Sequence, residues 1–527
     1  MGAGKFDGAH LVANFEAGLA QSYNYNFSNT SNPKQAADFP VYQFGFYAGD
    51  KWRARSNFTL TYGVRVDIPR FSEKPNANPV AVANFGYKTD NVPAPVMWSP
   101  RVGFNWDLSK SGARRQVRGG VGVFTGRTPY VWLSNQYSNT GVDFTSLSVS
   151  YNAANRLPFV ANPNGQPSVV VGGTTGRQTI NVVDPNYKYP EILRGTFGVD
   201  HELPWGLVGT AEGVYTRSFH DIFYQNINYV PAGALPDGRT TFKKFDTSLN
   251  DVMLLSNSTD GKSWSVSYKI ERPYRKGFTW SASYLYGRAY ARNDGTSSVA
   301  RSNWTNNPSG LNTNDPPLTR SNYDPGHRVN LSATLPIPLF KGLRSSLAFF
   351  FNGQSGRPFS IGFNGDANTD SITSNDLLFV PGSADDVVLY SSVAGQTATW
   401  DILNNFLQKA EVGDYRGKII ARNHARAPWY NHLDVRYAVT VPLPRKARIE
   451  LTADVFNFLN LLNKDWGWQY FGNFGSTNLI GYGGIDAATG KMRYNLSTLM
   501  GPNYSGLFTR ADLRSRWQAQ FGARVRF

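Results

Sequence analysis

The 527-residue sequence contains no cysteine, so neither a disulfide framework nor a thiolate metal site can form. It also has no apolar run of about eighteen residues or more, which excludes membrane-spanning helices. The first residues, MGAGKFDGAHLVANFEAGL, lack the basic, apolar and small-residue regions of a secretory signal peptide. We therefore expect either a cytoplasmic chain or one whose true N-terminus is missing.

Acidic residues are few beside the basic ones. The chain has 53 Lys and Arg against 37 Asp and Glu, a formal net charge of +16. Such an excess is compatible with a nucleic-acid partner or with a surface that faces anionic lipid. The basic residues are scattered along the sequence, without the Lys- and Arg-dense tracts of a phosphate-binding groove. We therefore predict no nucleic-acid partner.

A strict alternation of apolar and polar residues fills much of the remaining sequence. In the final stretch RWQAQFGARVRF, Trp517, Phe521 and Val525 share one face while Arg524 and Arg526 lie on the other. A period of two is the period of a β-strand with one buried face. The same pattern recurs in FTLTYGVRVDI, SWSVSYKIE, HLDVRYAVTV and ARIELTADV. The chain is predicted to be all-β, with about fourteen strands when one near 9–20 is included.

The connections between these strands alternate strictly in length. Short turns are expected near 54–57, 109–114, 203–206, 273–277, 337–342 and 442–446. Long segments rich in Asn, Ser, Gly, Pro and Tyr are expected at 69–100, 125–191, 218–262, 288–327, 353–428 and 458–513. A soluble sandwich is the alternative, but nothing in that architecture requires every long loop to lie at one end. The pattern favours an antiparallel transmembrane β-barrel in the outer membrane of a Gram-negative type of cell, with a lipid-facing apolar side, short periplasmic turns and long extracellular loops.

Several stretches resemble one family of such barrels. FYAGDKWRARSNFTLTYGVRVDIP (46–69) resembles a strand-turn-strand of TonB-dependent receptors, and SPRVGFNWDL (99–108) with VRGGVGVFTGRTPYVWLSNQYSNTGVDF (117–144) is similar to their Oar-like group. DVFNFLNLLNKDWG (454–467) resembles the penultimate strand of that group, and Phe527 resembles the terminal signal read by the barrel-assembly machinery.

The resemblance implies a 22-stranded barrel, an N-terminal plug, a TonB box and a signal peptide, and the sequence shows none of the last three. Residues 1–527 are therefore expected to be the C-terminal part of the barrel, without a plug domain, and a complete smaller barrel is the alternative. The implied function is binding and import of a solute too large for porins, with the TonB complex acting through a plug that this chain lacks. A surface interaction or adhesion protein with little transport is the second hypothesis, and the extracellular ligand is unknown in either case.

No catalytic constellation is present, so no enzyme is predicted. The six histidines are isolated, and the sequence contains no metalloprotease spacing, nucleophile elbow or phosphate-binding loop. GGVGVFTG (119–126) is glycine-rich but lies in a predicted barrel strand.

Two aromatic loop segments are the candidate ligand-binding sites, because they mix stacking surfaces with hydrogen-bonding groups. Their predicted site residues are Tyr130, Trp132, Asn135, Tyr137, Trp466, Trp468 and Tyr470. The alternative is that these side chains pack loop on loop or form an interfacial girdle. No cofactor is expected beyond a structural-calcium candidate at Asp366, Asn368 and Asp370. This segment departs from the EF-hand pattern at Ser371 and Leu377. A polar loop with Asx-turns is the alternative.

Overall fold

The computed structural model describes most of the chain. The described residues are 3–5, 13, 16, 22–33, 35–109, 113–126, 130–150, 160–162, 165–169, 174–273, 277–337, 343–444, 447–472, 475–502, 504 and 506–527.

Thirteen long strands form one antiparallel path through the main sheet of the described residues. In chain order they are β1 (Val41–Arg55), β2 (Phe58–Phe71), β3 (Met97–Asp107), β4 (Arg115–Thr125), β5 (Glu191–Leu203), β6 (Leu207–Asn226), β7 (Lys262–Arg272), β8 (Thr279–Ala291), β9 (Gly326–Pro336), β10 (Arg344–Gln354), β11 (Tyr430–Pro442), β12 (Arg448–Phe456) and β13 (Gln518–Arg526). Consecutive strands pair antiparallel all along this path, which confirms the predicted all-β antiparallel architecture. The expected strand near 9–20 falls, apart from residues 13 and 16, outside the described residues.

The pairing register keeps the alternating apolar side chains of neighbouring strands on the same face. Val525 lies opposite Ile449, which in turn lies opposite Val441. This face is open: Phe521 is 82% exposed. The other face is polar, as where Arg436 lies opposite Asp454. A sheet with an exposed apolar side and a polar side matches a barrel wall between lipid and a wet lumen.

The predicted alternation of connection lengths is confirmed. At one end of the sheet, two to seven residues join each pair of strands from β1–β2 to β11–β12. The turn at Pro204–Gly206 uses left-handed backbone at Trp205 (φ 64°) and Gly206 (φ 72°), which matches the twist of a tight hairpin. At the other end, the connections 72–96, 126–190, 227–261, 292–325, 355–429 and 457–517 run from 25 to 75 residues. We call these six connections the loop assembly.

The loop assembly has secondary structure of its own. Its α-helices are α1 (Pro79–Phe85), α2 (Tyr130–Ser138), α3 (Ala300–Thr305), α4 (Trp400–Lys409), α5 (Phe458–Leu462), α6 (Ser497–Met500) and α7 (Asp512–Ser515). Its longer strands are Phe144–Ser150, Gln178–Val183, Tyr229–Ala234, Thr240–Lys244, Leu249–Ser258, Pro358–Asn364, Val387–Tyr390, Ser476–Ile485 and Met492–Asn495. The strand Leu249–Ser258 pairs with the far end of β6 and with Gln178–Val183, so it joins two connections.

The main hydrophobic cores lie in the loop assembly rather than in the barrel wall. One core packs Leu403 and Phe406 of α4 against Phe363 and Tyr494, from connections 355–429 and 457–517. A second contains Leu133 and Trp304, from connections 126–190 and 292–325. Burial of these side chains ties the connections together. No helix within the described residues is long and apolar enough to cross a membrane.

Candidate functional site

Helix α2 carries four of the predicted site residues, and their polar atoms bond to other parts of the protein. The Trp132 indole donates to the carbonyl of Ser297 at 3.0 Å. The Asn135 amide donates to the Ser298 carbonyl at 2.8 Å, and its oxygen accepts from the backbone N–H of Ala300 at 3.1 Å. These bonds fasten α2 to the connection 292–325, which contains α3.

Tyr137 and Tyr130 extend from α2 in other directions. The Tyr137 hydroxyl donates to the carbonyl of Glu73 at 2.7 Å, and its ring stacks on Phe39 at a centroid distance of 4.0 Å. Burial raises the pKa of Tyr137 to about 12. The Tyr130 hydroxyl donates to the side-chain oxygen of Gln43, on β1, at 3.1 Å. Helix α2 therefore spans from the loop assembly to the barrel wall.

The second aromatic segment lies in the connection between β12 and β13. Trp468 stands 6.1 Å from Tyr470, and the Arg510 guanidinium lies 4.6 Å from the centre of the Trp468 ring. Tyr470 also contacts Phe508 edge-on. Trp466 is 52% exposed. The described contacts of Trp468 and Tyr470 lie within their own connection, whereas α2 reaches β1 and connection 292–325.

The calcium candidates are close together in the connection 355–429. Asp370 Oδ2 accepts hydrogen bonds from the Asn368 amide (3.0 Å), the Asn375 amide (2.9 Å) and the Thr313 hydroxyl (3.0 Å). Both oxygens of Asp366 accept backbone N–H groups, from Asp370 and from residue 371. Burial raises the pKa of both carboxyls, and repulsion from Asp370 adds to the effect at Asp366.

This arrangement has the geometry of Asx-turns, and it fits calcium poorly because amide and hydroxyl donors face the oxygens that a cation would need. No group of three or more His, Cys, Asp or Glu placed to hold a metal occurs in the part of the chain that the structure describes. The calcium site stays a prediction.

A cavity of about 500 Å³ lies where the polar face of the first strands meets α2. Its lining includes the Arg65–Asp67 ion pair, closed at 2.7 Å, together with Gln43 and Tyr130. Tyr189, a buried tyrosine of the connection 126–190, completes one side. The cavity combines charged, amide, hydroxyl and aromatic groups, a lining that suits a polar organic ligand.

The polar face carries further ion pairs below this cavity. Arg118 on β4 contacts Asp200 at 3.1 Å and Glu212 at 3.2 Å, from the next two strands. Paired charges on this face leave a hydrated wall rather than a bare charged one. This agrees with the expectation of a polar lumen.

A buried charge cluster that no sequence motif indicates holds the loop assembly over the strands. The Asp324 carboxylate contacts Arg288 (3.3 Å), Arg320 (3.4 Å) and Arg426, and it accepts the backbone N–H of Ala289 at 2.8 Å. Arg426 is about a hundred residues from Asp324 along the chain. No local spacing signal joins residues so far apart, so only the tertiary structure reveals the cluster.

The matching family model is described as an outer membrane beta barrel domain, and it matches residues 3–477 of this chain. The protein is therefore an outer-membrane β-barrel protein and lies in the outer membrane, as predicted. It belongs to the outer membrane beta barrel domain family. No curated protein matches the chain significantly.

The chain also matches solved structures of other proteins. A mutant of the ferric enterobactin receptor PfeA from Pseudomonas aeruginosa is 11% identical with a TM-score of 0.42, and the match covers 95% of this chain and 50% of that one. The outer membrane transporter YddB from Escherichia coli is 13% identical with a TM-score of 0.46, covering 92% and 45%. The copper transporter OprC is 11% identical with a TM-score of 0.41, covering 92% and 47%. The chain spans about half the length of these proteins.

Proposed function

We propose that the protein is the barrel of a TonB-dependent outer-membrane receptor that binds a solute too large for porins and admits it through the lumen. The observation that carries this proposal is the cavity between the polar face and α2, because it lies at the junction of the loop assembly and the lumen. A solute captured there has an Arg65–Asp67 pair on one side and the Tyr130 hydroxyl on another. The lining favours a solute with several hydrogen-bonding groups and one flat or apolar face.

The narrower parts of this proposal rest on the sequence resemblance. They are membership of the Oar-like group, dependence on the TonB complex through a plug, and recognition of Phe527 by the barrel-assembly machinery. Trp466, Trp468 and Tyr470 are proposed as a second, outer contact for the ligand, since the first of them is exposed. We propose no catalytic step.

The test uses the native strain with the intact gene deleted, and the same strain complemented. Spent medium from each is compared for solutes removed, with and without a protonophore that dissipates the proton motive force. We expect removal of at least one large polar solute that requires both the gene and the proton motive force. Tyr130→Ala should reduce this uptake, whereas Tyr323→Ala, at a 67% exposed tyrosine of the loop assembly outside the cavity lining, should not.

The second hypothesis, adhesion, predicts a different pattern in the same strains. Deletion would then leave the medium unchanged and reduce attachment of cells to a surface or to one another. That result would overturn the transport proposal. Uptake that persists with the protonophore would overturn the TonB part alone.

A further inference from the structure

The fold gathers basic residues that are scattered along the sequence. The short turns and the strand ends beside them comprise residues 51–58, 107–116, 201–208, 271–279, 336–345, 442–449 and 523–527. These seven segments contain sixteen Lys and Arg but only three Asp and Glu, a balance of +13 in a chain whose total is +16. The segments are far apart in the chain, so the sequence shows no clustering, but the hairpins place the described residues of all seven at one end of the sheet. We call this end the basic rim.

Ten of these sixteen cations are in described residues, and the register separates them by face. Arg55 lies opposite Phe58, and Phe58 lies opposite Trp106 on the apolar face. Arg115 lies two residues before Val117, which lies opposite Trp106 on the same face. These two arginines therefore flank an aromatic pair whose rings are 6.2 Å apart.

Arg272 repeats this arrangement on β7. It lies opposite Trp280 on the apolar face, and its guanidinium stands 5.7 Å from the centre of the Phe278 ring. An arginine beside partly exposed aromatic rings at the edge of an apolar band is placed at the level of lipid headgroups. Guanidinium groups bind phosphate oxygens through paired N–H donors.

From this juxtaposition we infer that the basic rim binds the anionic phospholipid headgroups of the inner leaflet, through Arg55, Arg115 and Arg272. The partner is a phosphodiester lipid with a net negative charge, such as phosphatidylglycerol. Short turns lie on the periplasmic side of outer-membrane barrels, so the rim meets the inner leaflet.

The charge of the opposite end supports this choice of leaflet. The connection 355–429 includes six Lys and Arg and eight Asp and Glu, so the longest loop is slightly acidic. The chain outside the seven segments carries a net charge of only +3. Attraction to anionic headgroups therefore acts at the periplasmic end, where each cation near a lipid surface adds to binding.

The experiment measures lipid binding to the intact gene product, purified in a zwitterionic detergent, by native mass spectrometry. Phosphatidylglycerol and phosphatidylcholine with the same acyl chains are the probes. The wild type should prefer phosphatidylglycerol, and the preference should shrink as NaCl is raised. The triple variant Arg55→Gln, Arg115→Gln, Arg272→Gln should lose affinity for phosphatidylglycerol by on the order of a hundredfold.

The matched control replaces three cations of the same rim on the polar face: Arg344→Gln, Arg448→Gln and Arg524→Gln. It changes the net charge equally and should leave phosphatidylglycerol binding within a few-fold of wild type. Heat-modifiable migration on gels checks that each variant is folded. Should the triple variant fail this check, the three single variants are measured instead, and each should show part of the loss.

Several results would overturn the inference. Equal binding of the two lipids by the wild type would remove the charge preference. An equal loss in both triple variants would place the site in the lumen. If inorganic phosphate competed as strongly as the lipid does, the site would bind small anions. If the protein showed no lipid preference but bound peptidoglycan through the same three arginines, the partner would be the cell wall.

Discussion

Phe521 and Gln520 are neighbours in the sequence and lie on opposite faces of β13. Phe521 pairs with Ala453 on the apolar face and is 82% exposed, whereas Gln520 pairs with Asp454 on the polar face. Both positions are in the middle of the strand. Val525, by contrast, lies within the basic rim, where an introduced cation reaches the headgroups. Phe521 is therefore the stronger test of which face meets lipid.

Phe521→Arg should destabilise the inserted barrel by about 2–4 kcal/mol, because it places a cation in hydrocarbon near the midplane. Gln520→Arg makes the same change toward the polar face, beside Asp454, and should be close to neutral. The effect of each variant on barrel insertion is measured by outer-membrane yield and by heat-modifiable migration of the intact gene product. If the two variants behaved alike, β13 would have no lipid-facing side.

A second residue-scale prediction concerns Asp366 and Asp370. Burial raises the pKa of both carboxyls, so they bind protons more tightly in the folded loop assembly than in the unfolded chain. Their contribution to stability is complete below the ordinary Asp pKa of about 4 and is lost as the pH rises through the raised values. These two groups should therefore make the loop assembly less stable as the pH rises from about 4 toward neutral.

Urea unfolding of the loop assembly, followed by tryptophan fluorescence at a series of pH values, measures this slope. Asp370→Asn should flatten it, whatever the change in overall stability. Asp385→Asn, at an exposed position of the same connection, should leave the slope as in the wild type. A slope that persists in Asp370→Asn would assign the pH dependence to other groups.

At the scale of the strands, glycine allows β1 and β2 to approach closely on the polar face. Gly49 lies opposite Gly63. A Cβ at Gly63 would stand 2.7 Å from the Ala48 carbonyl oxygen and 3.0 Å from the Gly49 Cα, both rigid backbone atoms. Gly213 on β6 has nothing within 4 Å of the equivalent position. Glycine is therefore required sterically at Gly63, and it is not at Gly213.

Gly63→Ala should cost about 1–3 kcal/mol, because the backbone of two paired strands must shift. Gly213→Ala should be tolerated, and loss of backbone freedom in the unfolded chain could make it slightly stabilising. The stability of both variants is measured by the thermal midpoint of the purified, folded barrel. Equal midpoints would mean that β1 and β2 separate at no cost.

For the whole molecule, the placement of long and short connections at opposite ends sets the orientation in the membrane. Residues 1–527 contain no cysteine, so a thiol introduced here is the only one in this part of the protein. Ala394 is exposed in the loop assembly, and Trp205, in the turn Pro204–Gly206, is 90% exposed. The two positions lie beyond opposite ends of the barrel wall.

Ala394→Cys should react with a membrane-impermeant maleimide on intact cells that carry the full gene product. Trp205→Cys should react only after the outer membrane has been permeabilised. Protease added to intact cells should likewise reach 125–191 and 353–428 but not the turns near 203–206 and 442–446. Labelling of Trp205→Cys in intact cells would reverse the orientation.

The sequence by itself determined the barrel wall, because the two-residue period is a local property of each strand and the turns are a few residues long. The lipid-facing side of β13 and the alternation of connection lengths can both be read directly from the sequence. Only the tertiary structure decided what the long connections do. Trp132 bonds a carbonyl 165 residues away, and Asp324 meets Arg426 102 residues further on. Such contacts depend on which hairpins are neighbours in the folded protein. The same arrangement brings cations that are scattered in the sequence together in the basic rim.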